Sequence, residues 1–121
     1  MDSDLKVAVA EERGELTVVA MTGELDITTA AEAYVSTTAL LVGRPDLIVD
    51  LSGVTFCDSS GFNALLRLRR RVVEAGGWLA LAASPKPIGS LLTLTGTDTV
   101  FAVYRNVAEA VTDYERPEGR Q

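Results

Sequence analysis

A chain of 121 residues, 47% apolar and 23% charged, is long enough for one hydrophobic core without disulfides or metals, and disorder is not its default class. Its net charge of −6 argues against nucleic acid or anionic lipid as the main partner, and its single cysteine, Cys57, rules out an internal disulfide. No apolar stretch approaches the roughly 20 residues that span a bilayer, and the acidic start Met1-Asp2-Ser3-Asp4 lacks the basic and apolar regions of a signal peptide, so the chain reads as cytoplasmic.

Leu5, Val7 and Val9 alternate with smaller or polar residues, which suits a strand with one buried face. Arg13-Gly14 turns the chain, and Leu16 to Met21 returns to complete a hairpin. Gly23-Glu24-Leu25-Asp26 follows as a polar corner. Thr29 and Glu32 have the spacing of a capping box, so a helix starts near residue 30. Ala31, Tyr34, Val35, Thr38, Leu41 and Val42 share one face of that helix, which Gly43 and Pro45 end. Leu47 to Leu51 reads as a buried strand. After the corner at Asp58-Ser59-Ser60-Gly61, Phe62 to Glu74 reads as a second helix, stopped by Gly76-Gly77. Its core-facing seam is Ala64, Leu65, Leu68 and Val72; Phe62, Leu66 and Val73 form a neighbouring seam interrupted by Arg69. An unpaired guanidinium is costly to bury, which places this second seam at the edge of the core or against a partner.

Trp78 to Ala82 is a further short strand, and Ser84, Pro85 and Pro87 open a helical segment running to Gly96. Val100 to Tyr104 reads as the last strand, and Asn106 with Glu109 starts a terminal helix through about Tyr114. Alternation of strands and helices after the opening hairpin favours an α/β fold with a mixed sheet of four to five strands. About four helices are expected, mainly on one face. The chain reads as one domain over residues 1–121, with an ordered core over about 5–114 and a frayed tail over 115–121.

The chemistry on offer is sparse. There is no histidine to activate Ser59, Ser60 or Cys57 as a nucleophile. Lys6 and Lys86 are the only lysines and neither stands in a Ser-x-x-Lys arrangement; Asp26, Asp50 and Asp58 do not form a calcium loop. Glu24 and Asp26 read more simply as surface charge than as paired catalytic carboxylates. No Gly-rich phosphate loop is present. The expectation is a protein that is not an enzyme and uses no cofactor or metal. Two hydroxyls at a helix N-terminus stand out instead, where open N–H groups and the helix dipole accommodate a phosphate. Asp58 or Ser59 can equally be a plain N-cap, since both residue types are preferred there.

Gly23-Glu24-Leu25-Asp26, Ile48-Val49-Asp50-Leu51-Ser52 and Phe56-Cys57-Asp58-Ser59-Ser60-Gly61 together resemble the STAS family, and within it the bacterial anti-sigma factor antagonists. The resemblance runs from about Leu5 to Tyr114. It implies a mixed sheet with helices on one side, and a protein that binds a serine-kinase anti-sigma factor so that a sigma factor is released. It further implies that the kinase phosphorylates Ser59, that a PP2C-type phosphatase reverses this, and that Asp26, Asp58 and Ser60 lie beside the target. The partner surface expected on this basis comprises Gly23, Glu24, Asp26, Asp58, Ser60 and Gly61, with Phe62, Leu66 and Arg69 on the rim of the following helix. Asn63 is bulkier than the small residue expected beside such a site. The alternative is a non-switching STAS scaffold within a transport or sensory complex; a weak nucleotide-binding protein is a third class.

Overall fold

The computed structural model describes residues 4–117 and lays them into a five-stranded sheet in the order β1-β2-β3-β4-β5. The strands are β1 (Leu5–Arg13), β2 (Leu16–Leu25), β3 (Asp46–Cys57), β4 (Leu79–Ala82) and β5 (Ala102–Tyr104). The helices are α1 (Ala30–Ala39), α2 (Ser59–Glu74), α3 (Lys86–Thr95) and α4 (Val107–Glu115), with a single 3₁₀ turn at Thr97–Thr99. β1 and β2 form the antiparallel hairpin; every later pairing is parallel, because each successive strand is reached through a helix. The mixed α/β single-layer sheet expected from the element order is therefore the observed one.

Side chains alternate across the sheet and build two cores. Val19 and Met21 of β2, Leu47, Val49 and Leu51 of β3, and Leu79 and Leu81 of β4 point to the face covered by α1, α2 and α3. Leu16, Val18, Ile48, Ala80 and Ala82 point the other way, against Ala110 and Val111 of α4. Three helices thus share one face and α4 holds the other. Asp46 anchors α4: its carboxylate accepts from the Trp78 N–H at 2.8 Å and from the Tyr114 hydroxyl, while Tyr104 donates to Asp113. Asn106 caps α4 by accepting from the Glu109 N–H at 2.8 Å, as the sequence spacing predicts.

Four local expectations are corrected. The core-facing residues of α1 are Ala33 and Thr37, not Ala31, Val35 and Val42, which are exposed. The helix is turned by one residue because it packs close to the sheet through small side chains, leaving Val35 outside, and it ends at Ala39, before Val42. Thr29 makes no capping-box bond; its hydroxyl donates back to the Glu24 carbonyl at 2.8 Å and accepts from the Asp26 N–H at 2.9 Å. β3 does not stop at Leu51 but runs to Cys57, and two register shifts against β2, one between Asp50 and Gly53 and one between Val54 and Phe56, absorb the irregular stretch. The last strand is shorter than expected, since Val100 and Phe101 precede it. α4 closes at Glu115, and Met1 to Ser3 and the tail from residue 118 lie outside the described residues.

The second helix behaves as its pattern predicts. Ala64, Leu65, Leu68 and Val72 are buried. Phe62, however, belongs to the core and not to an exposed rim: it is 4% accessible and meets the Phe101 ring edge-on, with centroids 6.4 Å apart. Leu66 and Arg69 are half-buried along the same flank, with Leu66 packed against the core.

Candidate functional site

The ends of β2 and β3 lie side by side, with Leu25 paired to Cys57, so the corner after β2 and the start of α2 meet. Within the corner, Asp26 organises its own turn. One carboxylate oxygen accepts from the Thr28 N–H at 2.9 Å, the Thr28 hydroxyl at 2.7 Å and the Thr29 N–H at 3.2 Å. The Thr28 hydroxyl, assisted by these N–H groups, holds the Asp26 carboxyl below its ordinary range. A lowered folded-state value means that this contribution to stability is complete at neutral pH and is lost as pH falls through it.

Asp58 joins the two segments. One of its oxygens accepts from the Gly61 N–H at 2.9 Å and caps α2, while the other accepts from the Ile27 N–H at 3.3 Å. The chain is drawn in further by the Asp58 N–H, which donates to the Leu25 carbonyl at 3.3 Å. Gly61 permits this approach. A Cβ there would lie 2.0 Å from the Leu25 carbonyl oxygen and 2.6 Å from its carbon, both fixed backbone atoms. Gly23 plays the matching part at β1, with φ of +115° and space for a Cβ only 2.0 Å from the Asp4 carbonyl oxygen. Gly23 and Gly61 therefore shape the site through close backbone packing. Gly61→Ala should destabilise the protein by about 1–3 kcal/mol in denaturant titrations through overpacking. Helix propensity alone predicts a gain of about 1 kcal/mol, so the sign of the measured change decides whether the close approach is rigid.

Ser59 is exposed in the first turn of α2 and Ser60 is half-buried. Their N–H groups have no protein acceptor, as the first turn of a helix dictates. Both hydroxyls line a cleft between the N-terminal ends of α1 and α2, together with Ile27, Ala31, Asn63 and Arg67. Asn63 and Arg67 thus line the cleft while Leu66 and Arg69 do not, because positions 60, 63 and 67 share a helix flank that 66 and 69 leave. The Arg67 guanidinium is held 4.1 Å above the Tyr34 ring of α1. Glu24 is exposed on β2 opposite Phe56. Cys57, behind the serines, is buried; burial, and then the Asp58 charge, push its thiol up to about 11, so it stays protonated at neutral pH. Among the described residues, no group of His, Cys, Asp and Glu side chains is placed to hold a metal ion, and no helix is long and apolar enough to cross a membrane.

A family model describing the STAS domain matches residues 7–110. The chain belongs to the STAS domain family. Among relatives, an anti-sigma F factor antagonist from Paenibacillus polymyxa is 26% identical over 114 residues, covering 93% of this chain and 97% of that protein. The crystal structure of an anti-sigma factor antagonist from Mycobacterium paratuberculosis superimposes with a TM-score of 0.78 at 28% identity, over 89% of this chain and 92% of that one. The Bacillus antagonist SpoIIAA shares the fold at 20% identity in both its unphosphorylated and phosphorylated forms. The TM-scores are 0.73 and 0.72, covering 88% and 91% of this chain and 93% and 100% of theirs. These solved structures share the fold described above.

Proposed function

We propose that this STAS domain is an anti-sigma factor antagonist: it binds a serine-kinase anti-sigma factor, frees a sigma factor, and is switched off when Ser59 is phosphorylated. It has no catalytic activity of its own and works in the cytoplasm, with a PP2C-type phosphatase restoring the binding form. The observation that carries this reading is the placement of Ser59. Its hydroxyl is exposed in the first turn of α2, directly after the Asp58 cap, at the mouth of the cleft between α1 and α2. In the proposed reaction the Ser59 oxygen bonds to the γ-phosphorus of ATP bound to the kinase. The bond from that phosphorus to the β-phosphate oxygen breaks, ADP leaves, and a base of the kinase takes the hydroxyl proton.

The fold supports a switch made by local charge. A phosphate carries about −1.5 to −2 charges at neutral pH, and the open N–H groups and dipole of α2 can receive it without rearrangement. Ser60 stands one position further into the helix, half-buried, and is the less accessible acceptor.

Phosphosite mapping tests the reading. The purified chain is incubated with ATP and each serine-kinase anti-sigma factor of the source organism, then digested and examined by mass spectrometry. Phosphate is expected on Ser59, persisting in Ser60→Ala and absent from Ser59→Ala. Binding without phosphorylation of any serine would instead place the chain among non-switching STAS scaffolds.

A further inference from the structure

The apolar residues left outside the core on and around α1 run beside the most basic stretch of the chain. Val35 of α1 is 63% accessible, and Ile27 before the helix and Val42 after it are 74% and 81% accessible, while Ala33 and Thr37 of the helix are buried. Across from them, α2 carries Arg67 and Arg71 with Arg70 beside them, three of the eleven cationic residues of a chain with net charge −6, while Arg69 lies on the other flank. The ion pairs among the described residues use Arg13, Arg44, Arg105 and Arg116, so these three make none. Arg67, Arg70 and Arg71 point outward, and Glu74 is the one acidic group on that face of α2.

α1 and α2 run in the same direction, and the seam between them is open at both ends. Ser59, Ser60, Ile27 and Arg67 line its upper end; Thr38, Val42 and Arg71 line a second hollow at its lower end. Between the two, Arg67 lies over Tyr34. The two hollows, with the Arg67–Tyr34 contact between them, make an interrupted groove along a seam about 15 Å long, the length of a ten-residue helix. It has an apolar bank, a cationic bank, and the Ser59 hydroxyl at its head.

We propose that this groove is the docking surface for an acidic, partly apolar segment of the anti-sigma factor, which lies along it from Ser59 to Arg71. The proposal rests on the antagonist reading above and adds to it where the partner runs and what it must carry. Charge complementarity selects the occupant: unpaired arginines on an otherwise acidic molecule attract carboxylates. The net negative charge meanwhile repels nucleic acid and anionic membranes. Exposed valines beside the arginines favour a protein segment over a free anion.

Titration calorimetry with the purified anti-sigma factor tests this on the full chain. Arg71→Glu should weaken binding tenfold or more at about 0.05 M salt and much less at about 0.5 M, and Arg71→Gln should fall between it and wild type. Val42→Asp should also weaken binding. Arg105→Glu makes the same change in net charge beside α4 on the opposite face of the sheet, and should bind as wild type does. If Arg71→Glu and Arg105→Glu behave alike, the groove is not the docking surface, even where Ser59→Asp abolishes binding and the switch stands. If no serine-kinase anti-sigma factor binds even the Ser59→Ala chain, the antagonist reading falls and the groove proposal with it. Wild-type binding to phosphatidylglycerol vesicles or to an RNA oligonucleotide, lost in Arg71→Glu, would overturn the proposal in favour of those ligands.

Discussion

Ser59→Asp is expected to lower affinity for the anti-sigma factor at least a hundredfold while moving the melting temperature by no more than about 2 °C, the usual size of a surface substitution in a domain of this length. The two halves of that expectation have different origins. Within the folded chain the new carboxylate sits in the first turn of a sixteen-residue helix, where negative charge is stabilised by the dipole and by the unpartnered N–H groups of Ser59 and Ser60. The neighbouring Asp58 carboxylate opposes this, but it already spends both oxygens on the Gly61 and Ile27 N–H groups. The net effect on stability is therefore small. Across the interface nothing compensates: a partner surface fitted to a neutral hydroxyl must desolvate a charge beside Asp58, and like-charge crowding of this kind costs several kcal/mol. A hundredfold corresponds to about 2.7 kcal/mol, well inside that range. Ser59→Ala should bind without interruption. Equal affinity of wild type and Ser59→Asp, measured by calorimetry, would end the switch reading.

Phe62→Ala should give the reverse pattern, a stability loss of about 3–5 kcal/mol measured by calorimetric unfolding. The ring lies in the core between α2 and the segment before β5, edge-on to Phe101. Truncation removes its burial and its aromatic contact and leaves a cavity that α2, pinned at Gly61, cannot close by moving inward. Against a typical total of about 5–15 kcal/mol, the loss is a large share of what holds the domain together. Phe62→Leu, which refills most of the volume, should recover more than half of it. A binding defect in a Phe62→Ala chain that unfolds at the wild-type temperature would return this residue to the interface.

Much of the site was legible because its devices are local. Asp58 before an apolar helix reads as a cap, and it is one; Asn106 with Glu109 reads as another, and it is one. The four-residue seam of α2 follows from spacing alone, since a sixteen-residue helix with a strong apolar stripe leaves little freedom. α1 was less legible because its ten residues offer two competing stripes. Pattern reading carries the helix on to Val42 and weights the larger side chains, whereas the helix ends at Ala39 and the sheet accepts the smaller Ala33 and Thr37 at close range. Phe62 was misplaced for a related reason. Its neighbours on that flank, Leu66 and Arg69, are only half-buried, and what buries Phe62 is Phe101, which the chain supplies from nearly forty residues further on. No local pattern announces a contact made by a distant element. Asn63 was placed beside the site from the sequence, but Arg67 was the remaining gap: only the placement of α1 reveals which flank of α2 borders the cleft.

The separation between what folds this domain and what lines its groove has an evolutionary consequence. Ile27, Val35, Val42 and Arg71 are exposed, and substitutions at such positions ordinarily change stability by less than about 0.5 kcal/mol. Duplicated copies of such a gene can therefore drift in groove chemistry without first acquiring compensating core mutations. On the proposed reading, swapping an arginine for a glutamate here would repel one partner and admit another, which is how discrimination between similar partners is commonly built. Related domains could then be kept apart by a handful of side chains, all resting on an unchanged scaffold with the same serine at its head.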